Sequence, residues 1–214
     1  IVAWQHLGLG SGNPRDMYRS IRLNRIDKTV LKHSFVTLAG DVDAAPYRGK
    51  KIKLKAAVKV AGGTGQLWLR WAGTTKQLEP LVDMDENPIR SSQWNYYEIS
   101  AVVPKDAVKI FFGSLLAGRG QLWVDDFQLY AGEKQDRWTP LTVKNPGFEA
   151  DKEGAAPGQW TAKSELYSFQ VTTRTAAKGS KSATIKSKTP PPAKPLFEEK
   201  PGIGEYIAKK LGRG

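Results

Sequence analysis

The chain of 214 residues is strongly basic, with 33 lysines and arginines against 21 aspartates and glutamates, and the excess is shared between its two halves. It has no cysteine, which excludes a disulfide framework, thiolate metal sites and cysteine nucleophiles, so core packing has to hold the fold. Positive charge dispersed in this way favours solubility over the concentrated basic stripe of a nucleic-acid reader, and no apolar run is long enough for a membrane helix. No nucleic-acid partner and no membrane insertion are expected.

The opening Ile1-Val2-Ala3-Trp4-Gln5-His6 has neither an initiator Met nor the pattern of a signal peptide, and reads as cut from something longer. Beyond it helical periodicity is nearly absent. Short alternating or apolar runs closed by Gly, Pro or Asp recur instead, the signature of an antiparallel sandwich. The expected strands are Ser20–Ile26, Ser34–Ala39, Lys51–Val60, Gly65–Ala72, Trp94–Val102, Val108–Gly113 and Gly120–Tyr130. In Lys51–Val60 the faces can be assigned. Ile52, Leu54, Ala56, Val58 and Val60 share one side and Lys51, Lys53, Lys55 and Lys59 the other, because strand side chains alternate. The lysine row reads as a solvated face that also blunts edge pairing, or as a site for an anionic partner. Ala61-Gly62-Gly63-Thr64-Gly65 and Ala117-Gly118-Arg119-Gly120 supply turns.

After Tyr130 a polar stretch leads to weaker strands at Leu141–Lys144, Gln159–Ala162, Tyr167–Thr173 and Ser182–Lys186. The expected division is a sandwich over 1–131, a linker over 132–138, a partial β-rich second module over 139–188, and a Pro-rich linker with the start of a further domain over 189–214. Residues 139–188 either pack onto the first sandwich or form an incomplete partner. Thr189-Pro190-Pro191-Pro192-Ala193-Lys194-Pro195 is a stiff, extended spacer, since proline fixes φ.

A hydrolytic site needs a nucleophile with a base in reach, or two carboxylates facing across a cleft. His6 and His33 are the only histidines, and neither adjoins a nucleophile motif; no catalytic residue is assigned and the chain is expected not to be an enzyme. Asp83, Asp85 and Glu86 form one acidic group and Asp125 with Asp126 another, of a type that suits Ca²⁺ better than a transition metal. On Gln66–Trp71, the residues Gln66, Trp68 and Arg70 fall on the side opposite Leu67, Leu69 and Trp71. Trp68, Arg70 and Trp123 are therefore candidates to line a shallow ligand groove on one sheet, with aromatic packing as the alternative. Trp4, Trp94, Trp138 and Trp160 read as packing residues.

Tyr47–Leu54, Gln66–Arg70, Trp94–Ile99 and Gly118–Phe127 are similar, in order and spacing, to the landmarks of jelly-roll modules in the broad carbohydrate-binding superfamily. Asn145-Pro146-Gly147-Phe148-Glu149, Trp160 and Gly179–Ile185 resemble the front half of a second one. The implied fold is all-β, a galactose-binding-like jelly-roll sandwich with a smaller β-rich segment. The resemblance also implies a structural calcium at Asp125 or Asp126, with no other cofactor. Leu81–Ile89 before Trp94, Trp123-Val124-Asp125-Asp126 and Leu196–Tyr206 together resemble the region preceding the protease domain in bacterial tail-specific (carboxyl-terminal processing) serine peptidases. That implies a non-catalytic accessory region, extracellular or periplasmic, whose partner is a downstream catalytic domain of the same polypeptide. A carbohydrate-binding module holding a polysaccharide and an interaction module for an anionic partner are the alternatives.

Overall fold

The computed structural model describes residues 35–73, 81–132 and 137–188. The expected strand Ser20–Ile26, the two histidines and the Pro-rich segment from Thr189 lie outside the described residues. The architecture is all-β, as the alternation implied: two antiparallel sheets stacked face to face.

In chain order the strands are β1 (Phe35–Asp43), β2 (Lys51–Ala61), β3 (Thr64–Gly73), β4 (Val82–Asp83), β5 (Asn95–Val102), β6 (Ala107–Ala117), β7 (Gln121–Gly132), β8 (Trp138–Leu141), β9 (Tyr167–Thr172) and β10 (Ser182–Ser187), with one 3-10 turn at Ala45–Tyr47. One sheet has the order β1-β6-β3-β4. The other runs β5-β2-β7-β10-β9, with β8 also paired to β7. The segment 139–188, expected as a partial second module, thus contributes strands to the larger sheet, and β10 pairs β7 from Ala183 opposite Val124 to Lys186 opposite Gln121.

Alternation explains the core. Ile52, Leu54, Ala56, Val58 and Val60 of β2 are buried against Leu67, Leu69 and Trp71 of β3 and Ile110, Phe112 and Leu116 of β6. Leu122, Val124, Phe127, Leu129 and Ala131 of β7 join them, as do Ala183 and Ile185 of β10. Between Val124 and Phe127 a bulge in β7 opposite Lys55–Ala57 inserts one extra residue. It takes up the break in alternation at Asp125 and Asp126, and Asp126 has φ of 48°.

The Asn145–Glu149 loop packs against the middle of β7, where the Phe127 N–H donates to the Pro146 carbonyl. Phe148 is fully buried with φ of 61°, a left-handed conformation that costs an ordinary residue about 1–2 kcal/mol. Its ring meets Phe127 at 6.3 Å and Trp160 at 5.6 Å, and Trp160 stacks on Phe127 at 4.4 Å. Burying a phenylalanine contributes about 1.5–3 kcal/mol, enough to offset the strain. The loop is pinned by Asn145, whose Nδ2 donates to Asp151 at 2.7 Å and to the Gly158 carbonyl, while the Trp160 Nε1 donates to the Asn145 carbonyl. Phe148→Ala is expected to lower unfolding free energy by about 3–5 kcal/mol, read as a shifted midpoint in urea denaturation.

Candidate functional site

The outer face of the larger sheet carries a ladder of lysines and aromatic rings. On β2 the lysines alternate with core residues, and the register sets their neighbours: Lys53 lies opposite Tyr130 of β7, Lys55 opposite Gln128 and Lys59 opposite Trp123. The Lys53 Nζ stands 4.3 Å from the Trp138 ring centre and 5.8 Å from Tyr130. The Lys55 Nζ stands 4.8 Å from Tyr96. The Lys59 Nζ lies between Trp94 and Trp123, at 5.1 and 4.9 Å. All fall within the roughly 6 Å at which a cation is drawn to a ring face, each worth about 0.5–1 kcal/mol at an exposed site.

A chain of hydrogen bonds crosses the same face. The Tyr130 hydroxyl donates to Gln128 Oε1 at 2.5 Å, and Gln128 Nε2 and the Tyr96 hydroxyl both donate to Asp126 Oδ2, at 2.5 and 2.7 Å. Lys178 Nζ meets Asp126 Oδ1 at 3.1 Å. Burial alone would raise Asp126, but the donors Tyr96, Lys178 and Gln128 outweigh it and hold its carboxyl below the usual range. Desolvation, then the bond to Asp126, pushes the Tyr96 phenol up to about 12, so it stays protonated and cannot serve as a base at neutral pH. The ladder offers flat rings, ammonium donors and amide groups for contact.

Beneath it Asp125 is fully buried. Its Oδ1 accepts the Asp126 N–H at 2.7 Å, and its Oδ2 accepts the N–H groups of Ala177 and Lys178 at 2.8 and 2.9 Å. Burial pushes its pKa up and the three donors reverse only part of that. All four oxygens of Asp125 and Asp126 are thus engaged by protein donors. This does not fit the six to eight oxygens a calcium ion gathers, and among the described residues no three His, Asp or Glu stand together as a metal set.

The structure does not bring the expected groove residues together. Trp123 belongs to the ladder on the larger sheet, whereas Trp68 and Arg70 face outward from β3 in the smaller sheet, on the opposite side of the sandwich. Trp68 is only 4% exposed and packs with Ala39 and Leu115. Near it, Gln66 Oε1, Trp68 Nε1 and Asp83 Oδ2 are buried without a hydrogen-bond partner among the described residues. Asp83 lies opposite Trp68 in the β3–β4 pair. Desolvation raises its pKa to about 6, against a bond from the Asp85 N–H. Trp94 and Trp138, read as packing residues, turn out to be rungs of the ladder. Equal parity of the lysines on β2 was the available signal; on β7 the bulge shifts parity between Trp123 and Tyr130, so the ladder is readable only once the pairing is known.

No family model matches the chain, and no solved structure matches it. It is similar to YbfP of Bacillus subtilis (strain 168), named as an uncharacterized HTH-type transcriptional regulator: the two are 32% identical over 122 residues, 55% of this chain and 40% of that protein. The chain therefore spans well under half of that relative's length. This likeness overturns the resemblance to tail-specific peptidases and to carbohydrate-binding modules. With it go the secreted accessory role, the catalytic-domain partner, the polysaccharide and anionic-partner alternatives, and the exclusion of nucleic acid. The physical reason is that turn glycines, strand alternation and Trp-Val-Asp-Asp report the strands and turns of a sandwich, a fold that hosts many functions.

Two outcomes follow from these environments. Asp125→Ala leaves three N–H groups without their acceptor and is expected to cost about 3 kcal/mol of stability, measured by urea unfolding. For Asp83, a folded pKa near 6 against an ordinary 3.8 means that ionisation opposes folding. The penalty is absent below 3.8, grows as pH rises to 6 and is complete above it. Asp83→Asn keeps the acceptor for Asp85 and should melt at a higher temperature than wild type at pH 7, the gap closing as the pH is lowered to 3.8.

Proposed function

We propose that this chain is a non-catalytic β-sandwich module of a transcriptional regulator, acting as part of a protein that engages DNA through elements other than the sandwich. The observation that carries the reading is the 122-residue likeness to a protein named as an HTH-type transcriptional regulator. A helix-turn-helix reads DNA by laying its second helix in the major groove. Among the described residues the helical content is the three-residue turn Ala45–Tyr47, too short for that task, so the sandwich is assigned the regulatory rather than the DNA-reading part.

The ladder suits such a role. Its rings and lysines are held in place by neighbours on four strands and by Thr175, whose hydroxyl accepts from Lys59 Nζ at 2.9 Å and from Trp94 Nε1 at 3.0 Å. A face ordered in advance loses little side-chain entropy on contact. The chemistry on the described residues also favours a binding role, since they include no histidine and the Tyr96 phenol is kept from acting as a base.

Immunoprecipitation of the tagged, full gene product from its own cells, followed by sequencing of the recovered DNA, is expected to enrich discrete chromosomal sites. Deleting the gene should change transcription of the neighbours of those sites. Recovery of DNA no better than from an untagged strain, with unchanged transcripts, would overturn the reading.

A further inference from the structure

Among the described residues the sheet edges are guarded to different degrees. The outer edge of β1 is bridged at one point, where Thr161 exchanges backbone bonds with Ala39 at 2.8 and 2.9 Å. The outer edge of β9 is capped by Gly154 and Ala155, bonded to Val171. β4 is two residues long. β5 is different: eight residues, Asn95-Tyr96-Tyr97-Glu98-Ile99-Ser100-Ala101-Val102, paired on one side with β2, and with no proline, lysine or arginine in the run. Lysine, proline, bulges and covering loops are the usual guards of an open edge, and among the described residues this strand shows none of them, its single charge being Glu98.

The free groups can be assigned. The Val103 N–H donates to the Lys50 carbonyl and the Val60 N–H to the Ser91 carbonyl, so odd-numbered positions of β5 direct their backbone toward β2. Tyr96, Glu98, Ser100 and Val102 then direct theirs outward, because backbone groups alternate sides along a strand. All four are exposed, as is Asn95 at the start of the strand. Tyr96 at 46% and Val102 at 60% are among the few exposed large hydrophobic residues.

We propose that β5 is a homodimerisation edge, pairing antiparallel with β5 of a second copy about a two-fold axis at Ile99. In that register Glu98 lies opposite Ser100, Tyr97 opposite Ala101 and Tyr96 opposite Val102, all by the same symmetry. The two exposed apolar residues cover each other in an aromatic and β-branched pair, a favourable cross-strand combination. The two Glu98 side chains are kept from facing each other, and each already has Lys53 at 3.9 Å on its own sheet. The outward-bonding residues 98 and 100, and 96 and 102, exchange the main-chain bonds, and the contact is isologous and closed. A foreign strand would satisfy the same backbone but would not need this self-complementary order. The proposal does not rest on the regulatory reading, whose test reads DNA recovery and not assembly.

Sedimentation velocity on the whole chain over a range of concentrations is expected to show a reversible monomer–dimer equilibrium. It should tighten as salt screens the +12 formal charge of each copy. Val102→Lys places a charge on the edge and should weaken dimerisation at least about tenfold, with an unchanged circular dichroism spectrum. Because the chain has no cysteine, the register can be trapped directly. Glu98→Cys combined with Ser100→Cys should yield a covalent dimer on mild oxidation, whereas Glu98→Cys combined with Val102→Cys, out of register, should yield far less. A chain that stays monomeric at all concentrations would overturn the proposal. So would a dimer indifferent to Val102→Lys that gives equal cross-linking from both cysteine pairs.

Discussion

A buried carboxylate ties the chain together. Asp125 sits at the bulge of β7, accepts the N–H of its own neighbour, and with its other oxygen takes two N–H groups from Ala177 and Lys178. A carboxylate removed from water is tolerable only when its lone pairs are filled, and here the donors come from sequence-distant backbone. The bulge, the course of the 175–178 segment over the sheet, and the docking of β10 onto β7 are therefore one arrangement. Thr175 then holds Lys59 and Trp94 in place, and the Ser182 hydroxyl donates back to the Thr175 carbonyl at the entrance to β10.

The aromatic cluster between the sheets is the apolar counterpart. Phe112 of β6 and Phe127 of β7 come from the two sheets, and Phe148 and Trp160 from the loops between β8 and β9. A loop residue in a left-handed conformation would ordinarily be glycine or asparagine. Phenylalanine holds the position because its ring fills the core there. The polar network of Asn145, Asp151 and Gly158 satisfies the backbone that this loop would otherwise leave buried without partners.

The two outer faces differ in kind. On the larger sheet lysines and rings neutralise one another's exposure and stay near solvent, while on the smaller sheet Trp68, Leu115 and Ala39 are covered. β5 belongs to the ladder through Tyr96 and also ends the larger sheet. A regulatory module with a self-complementary edge would bring two copies into two-fold symmetry, the arrangement that paired half-sites on DNA mirror.

Alternation by itself determined the all-β class, the buried row Ile52, Leu54, Ala56, Val58 and Val60, and the outward lysines, because a period of two is a local property of an extended backbone. It also placed β2, β3, β5, β6 and β7 within a few residues of their ends. It had no means of showing that Trp68 and Trp123 stand on opposite sides of the sandwich, that Trp94 and Trp138 flank lysines, or that Asp125 is closed off by residues 177 and 178. Those facts depend on strand order and register, set by pairings between residues as far apart as β7 and β10, where the free energy of burial is summed over the whole core. Landmark spacing, read as family membership, misled for the same reason: it records the shape of strands and turns, and the site is made by what those strands bring side by side.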